Sequence, residues 1–128
     1  MPSVLVVDDN IANRMLASRL LKRSGWDVAE AADGQEALDY LGSATVDLIL
    51  LDISMPGLSG EEVCEQVRRD LGRGPKIVAY TAHAMPEEQQ RFIDHGFDAV
   101  LIKPISRDQL NATLAGVGFP PPPAAPAA

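Results

Sequence analysis

Three acids, a hydroxyl and an amine stand at the ends of four apolar runs. Val4-Leu5-Val6-Val7 runs into Asp8-Asp9, Leu48-Ile49-Leu50-Leu51 into Asp52, Ile77-Val78-Ala79-Tyr80 into Thr81, and Ala99-Val100-Leu101-Ile102 into Lys103-Pro104. If these runs are parallel strands, all five side chains converge, because the crevice of such a sheet lies outside the carboxyl ends of its strands. Three carboxylates packed together repel one another and raise their pKa values unless a hard divalent cation joins them. Mg²⁺ suits the set, since it takes one or two carboxylates, keeps several waters and coordinates phosphoryl oxygens. Beside such a cation Asp52 is a candidate nucleophile toward phosphorus, giving an acyl phosphate. Lys103 then supplies a point charge and Thr81 a hydrogen bond to the phosphoryl oxygens. Singly, each residue has a plainer reading: Asp8-Asp9 as an N-cap pair, Thr81 as a strand end, Lys103 as a solvated charge. Their joint occurrence favours the chemical one.

The elements that must position these groups are legible. Apolar runs at Ser3–Val7, Asp27–Ala31, Val46–Leu51, Lys76–Tyr80 and Ala99–Ile102 alternate with amphipathic segments near Ile11–Ser24, Gln35–Leu41, Ser59–Leu71, Pro86–His95 and Arg107–Leu114. This is the pattern of βα units forming a doubly wound parallel sheet covered on both faces. Gly25 and Gly96 stop helices, Pro86 starts one and Ser106 caps another.

At 128 residues the chain fits one domain, expected over 1–118. Residues 119–128, Phe-Pro-Pro-Pro-Pro-Ala-Ala-Pro-Ala-Ala, carry no charge and no periodicity and read as a disordered tail. A net charge of −7 without a Lys/Arg block argues against nucleic-acid binding. Cys64, the single cysteine, excludes an internal disulfide and a cysteine-rich zinc site, and its helical neighbours make it a core residue. No leader pattern or membrane-length apolar run is present, so a cytoplasmic location without membrane attachment is the default.

With Val-Asp-Asp at 7–9, Leu-Asp-Ile-Ser-Met-Pro-Gly at 51–57, Gly60, Thr-Ala at 81–82 and Lys-Pro at 103–104, the sequence resembles the receiver domains of two-component response regulators from residue 3 to about 115. The resemblance implies a flavodoxin-like (βα)₅ fold with strand order 2-1-3-4-5. It implies that Asp52 takes a phosphoryl group from a phosphohistidine, and that Asp9, Asp52 and the backbone carbonyl of Ser54 bind Mg²⁺, with Asp8 acting through metal-bound water. It also implies a cis peptide between Lys103 and Pro104. The runs at 8–14 and 81–86 look most like receivers of hybrid kinases or phosphorelays. The initial Met and the low-complexity tail favour a stand-alone regulator, a monomer or weak dimer, over a segment of a hybrid kinase.

For partners, burying Leu16 and Leu20 turns Ile11, Arg14, Met15 and Ser18 outward on the first helix. The resemblance makes Ile11, Arg14 and Met15, with Pro104 and Ile105, a docking patch for a histidine kinase or phosphotransfer protein. His95 suits a helix C-terminus, whereas the resemblance implies that His83, with Ser54, flanks the path of hydrolytic water. Most receivers carry an aromatic residue where Val100 stands; strand alternation turns Tyr80 away from Thr81 and so makes it a poor substitute. Small changes around the fourth helix and fifth strand, with output through the first helix, are therefore expected on activation. The main reading is a signalling switch without metabolic catalysis. A haloacid-dehalogenase-like phosphatase needs an acid at position 54, a flavodoxin-like carrier needs a hydroxyl-rich loop at 8–9, and a degenerate receiver would lack pocket residues.

Overall fold

A computed structural model describes residues 2–72, 74–82 and 85–119; His83 and the stretch from Pro120 onward lie outside them. The elements are β1 (Ser3–Val7), α1 (Ile11–Arg23), β2 (Asp27–Ala31), α2 (Gly34–Leu41), β3 (Leu48–Asp52), α3 (Gly60–Leu71), β4 (Lys76–Thr81), α4 (Pro86–His95), β5 (Ala99–Ile102) and α5 (Arg107–Gly116). The strands pair in parallel in the order β2-β1-β3-β4-β5. The direction of winding reverses between β1 and β3, which places a crevice at their carboxyl ends.

Successive residues of a strand face opposite sides of a sheet, and the core divides accordingly. Leu5, Val7, Ile49, Leu51, Ile77 and Ala79 pack with Ala37, Leu41, Val63, Val67 and Phe92 on the face covered by α2, α3 and α4. Val4, Val6, Leu48, Leu50, Val78 and Tyr80 pack with Leu21, Leu110 and Leu114 on the face covered by α1 and α5. The central strands are apolar throughout because both their faces are covered.

Three details depart from the sequence reading. Strand β3 begins at Leu48 and keeps Asp52 as its last paired residue, opposite Tyr80. The Asp47 carboxylate instead accepts the Ser3 amide at 2.8 Å. At the C-terminus, Phe119 sets its ring edge-on to Trp26, centroids 5.0 Å apart, and its amide bonds to the Leu114 carbonyl at 2.8 Å. Phe119 is thus packed against the domain.

The third departure is the phase of α1. Its buried residues are Ala17, Ser18 and Leu21, while Leu16 is 38% exposed and Leu20 half-buried. Small side chains at 17 and 18 let the helix lie close to the sheet. The outward placement of Ser18 is therefore overturned, and that of Arg14 is revised: its guanidinium bonds the Asp8 carbonyl at 2.7 Å and Glu30 at 3.1 Å. Ile11 and Met15 do face out, at 63% and 52% exposure.

At the end of the sheet away from the crevice, Arg68 of α3 makes a second polar centre. It donates to the carbonyls of Gly96, Gly72 and Pro75 at 2.9, 3.1 and 2.8 Å, and pairs with Asp98 at 2.6 Å. Asp98 also accepts the Ile77 amide at 2.8 Å. Among the described residues no helix is long and apolar enough to cross a membrane.

Candidate functional site

The backbone sets the strand ends against one another before any side chain is considered. The Asp8 amide bonds Ala31, the Ile53 amide bonds Tyr80, and the Lys103 amide bonds Thr81, at 3.2, 3.3 and 2.8 Å. Gly60 completes the frame: a Cβ there would overlap the Asp52 carbonyl and lie 2.8 Å from Ile53 Cα, so only glycine lets α3 start this close to the end of β3. Ser59 and Glu62 close a reciprocal capping box over the same turn. The Lys103–Pro104 peptide is cis.

Asp8, Asp52, Thr81 and Lys103 converge as the sequence predicts. Lys103 Nζ lies 3.1 Å from Asp8 Oδ2 and 3.3 Å from Asp52 Oδ1. One carboxylate oxygen each of Asp8, Asp9 and Asp52 fall within 4.8 Å of one another. Asp8 and Asp52 are buried and Asp9 is exposed. Asp8 Oδ1 accepts the Asn10 amide at 2.8 Å, whereas Oδ2 has its ion pair with Lys103 but receives no hydrogen bond. The Ser54 amide reaches Asp52 Oδ1 at 3.3 Å. A cavity of about 700 Å³ opens beside Asp52, walled by Ser54, Met55, Ser59, Thr81, Ala82 and Phe92, with Glu61, Glu88 and Arg91 at its rim. Arg91 and Glu61 pair there at 3.4 Å.

Burial dominates the electrostatics. It raises the Asp52 carboxyl from 3.8 to about 7; Lys103 pulls it down and Asp8 pushes it up. The Tyr80 phenol rises to about 12, through burial first and then the charges of Asp8 and Asp52. Acids held near one another, one with a buried oxygen that receives no hydrogen bond, and one ammonium beside them among the described residues, are a donor set that fits a hard divalent cation.

The outer residues divide. Pro104 is exposed, but Ile105 is buried in the cluster with Leu101, Leu110 and Tyr80, which removes it from the predicted docking patch. Arg14 is half-buried, and its guanidinium is held by the Asp8 carbonyl and Glu30. Val100 is half-buried against the α3 and α4 face, opposite to Tyr80.

A family model described as the response regulator receiver domain matches residues 4–115. The chain belongs to the response regulator receiver family. Sensor histidine kinase RcsC of Salmonella typhi is 38% identical over 112 residues, which is 88% of this chain and 12% of the kinase. Sensor histidine kinase AruS of Pseudomonas aeruginosa is 40% identical over 118 residues, again covering 12% of the kinase. The chain thus spans about 12% of the length of these relatives. Among solved structures, the chemotaxis response regulator CheY4 of Vibrio cholerae superposes with a TM-score of 0.85 at 36% identity, covering 91% of this chain and 98% of CheY4. The response regulator TrrA of Thermotoga maritima, solved in complex with Mg²⁺ and BeF, gives a TM-score of 0.78 at 33% identity, covering 88% and 95%. This receiver therefore carries the flavodoxin-like (βα)₅ fold of two-component signalling.

Proposed function

We propose that Asp52 accepts a phosphoryl group from a phosphohistidine of a histidine kinase or phosphotransfer protein, and that the phosphorylated receiver signals or relays through protein contacts in the cytoplasm. The observation that carries this reading is the convergence of Asp8, Asp52 and Lys103 at the switch point of a receiver fold. A carboxylate oxygen of Asp52 forms the new bond to phosphorus as the phosphorus–nitrogen bond breaks, and the bonding pair stays with the departing imidazole. Lys103 Nζ neutralises charge on the transferring oxygens and the Thr81 hydroxyl donates to one of them. Asp8, Asp9, Asp52 and the Ser54 carbonyl would hold Mg²⁺, which supplies the positive charge that lets the acids and the phosphoryl oxygens lie together. TrrA, related over most of this chain, is a precedent for that ion in the family.

Incubation with acetyl phosphate and Mg²⁺ is expected to add one acid-stable, base-labile phosphoryl group. Asp52→Asn should take none and Asp9→Ala should lose both Mg²⁺ affinity and labelling. Full labelling of Asp52→Asn would assign the acceptor elsewhere.

Docking is assigned to Ile11 and Met15, exposed apolar side chains beside an acidic crevice, together with Pro104. The pair Ile11→Lys and Met15→Lys is expected to slow transfer from a phosphohistidine protein by about tenfold or more, leaving labelling by acetyl phosphate intact. An equal loss with both donors would place the damage in the pocket.

A further inference from the structure

Among the described residues, the ammonium of Lys103 lies against Asp8 Oδ2, Asp52 Oδ1 and the ring of Tyr80, whose centroid is 4.5 Å from Nζ. We propose that Tyr80 is a positioning residue for Lys103, its ring face seating the ammonium over the two carboxylates. A cation within roughly 6 Å of an aromatic centroid is attracted to the face of the ring, the more so where water is excluded. Here the ring is fully buried and the Lys103 side chain is 13% exposed.

A ring chosen for packing alone would sit badly here. Tyr80 shares its cluster with aliphatic side chains, Val4, Val6, Leu50 and Leu101 among them. Its hydroxyl is buried and has no hydrogen-bond partner among the described residues, an unfavourable arrangement that an aliphatic side chain avoids. The contact an aliphatic side chain cannot make is the one to the ammonium.

The role follows from what happens around Lys103 during transfer. A cation held by the acids, or a phosphoryl group on Asp52, would compete with the ammonium for its carboxylate oxygens and would loosen those two contacts. The ring takes no part in that competition. It remains as the fixed support of a flexible four-carbon side chain, and β4 sets its place through the pairing of Tyr80 with Asp52 and Leu101. The consequence for rate rests on the phosphoacceptor reading above; the seat itself does not.

Two measurements separate these. Natural-abundance or labelled NMR of the Lys103 ε-methylene is expected to show an upfield ring-current shift in the wild type and in Tyr80→Phe, lost in Tyr80→Leu. Acetyl phosphate labelling in Mg²⁺ should run at the wild-type rate in Tyr80→Phe and about tenfold slower in Tyr80→Leu. Because Tyr80→Leu alters a core volume, phenylalanine bearing one, two or three ring fluorines at position 80 supplies a series of nearly constant shape. The rate should fall stepwise with fluorine number as the ring face loses its negative charge. A flat fluorine series, a Tyr80→Leu rate equal to wild type, or an unshifted Lys103 signal in the wild type would each overturn the assignment. A shifted signal in a chain that takes no label would instead leave the seat standing and refute the phosphoacceptor reading.

Discussion

In metal-free solution near pH 8, Asp52→Asn is expected to be more stable than the wild-type receiver by about 2–4 kcal/mol, with the difference falling to less than half near pH 5. The cause is the burial that raises the Asp52 carboxyl from 3.8 to about 7, against the pull of Lys103 and with a further push from Asp8. A folded-state value above the unfolded one means that the native chain holds this proton where the unfolded chain has released it. The contribution is therefore complete on the acid side, declines as pH rises through the window from 3.8 to about 7, and is absent above it. At about 1.4 kcal/mol per pKa unit the shift sets an upper limit of about 4 kcal/mol. Asparagine keeps the shape and removes the charge, and the pull of Lys103 is already contained in the net shift. Urea melts followed by the fluorescence of Trp26, the single tryptophan and a buried one, would measure this at both pH values. Adding Mg²⁺ should raise the wild type through preferential binding to the folded state and narrow the gap. An equal gap at both pH values, or a less stable asparagine variant near pH 8, would show that Asp52 is not a strained anion in the metal-free fold.

The same residues show why so much of this site could be read before the fold was known. A strand covered on both faces is apolar throughout, so the first polar residue after each run marks its carboxyl end, and Asp8, Asp52, Thr81 and Lys103 are all such residues. Placing them together then required only that the strands be parallel. The phase of α1 was harder, because Leu16 and Leu20 are the larger apolar pair. The sheet instead takes Ala17, Ser18 and Leu21, where small side chains allow close approach, and a helix can lay either stripe inward at the level of pattern alone. Ile105 misled for a related reason: a residue just after the Lys-Pro pair looks like loop surface, yet the chain turns it into the cluster with Tyr80 and Leu110. The seat of Lys103 on Tyr80 was not legible either, since strand alternation sends Tyr80 and Thr81 to opposite faces and gives no sign that the side chain just after β5 lies over the ring.

Arg68→Ala is expected to cost about 3–5 kcal/mol, a large share of the stability of a domain this size. Arg68 reads from sequence as one more charge on the polar side of α3, and only its place four residues after the buried Cys64 puts it at the edge of the inward stripe. Its guanidinium supplies donors to three carbonyls, from the end of α3, the start of β4 and the end of α4, and it pairs with Asp98 just before β5. Both side chains are largely withdrawn from water, at 13% and 14% exposure. Removing the arginine takes the guanidinium from the buried Asp98 carboxylate and from three carbonyls at once, which is the costly way to break a buried pair. Lysine keeps the charge but lacks the planar fork, so Arg68→Lys should recover a minor part of the loss. A double-mutant cycle with Asp98→Asn should return a coupling between the two positions, because each single change removes the charge that the other side chain faces at 2.6 Å. Since this centre lies at the opposite end of the sheet from Asp52, the fraction of Arg68→Ala that remains folded should bind Mg²⁺ and take label from acetyl phosphate as the wild type does. A urea midpoint implying a loss below about 1 kcal/mol would reduce the clamp to an ordinary surface ion pair, and slowed labelling in the folded fraction would tie the two ends of the sheet together.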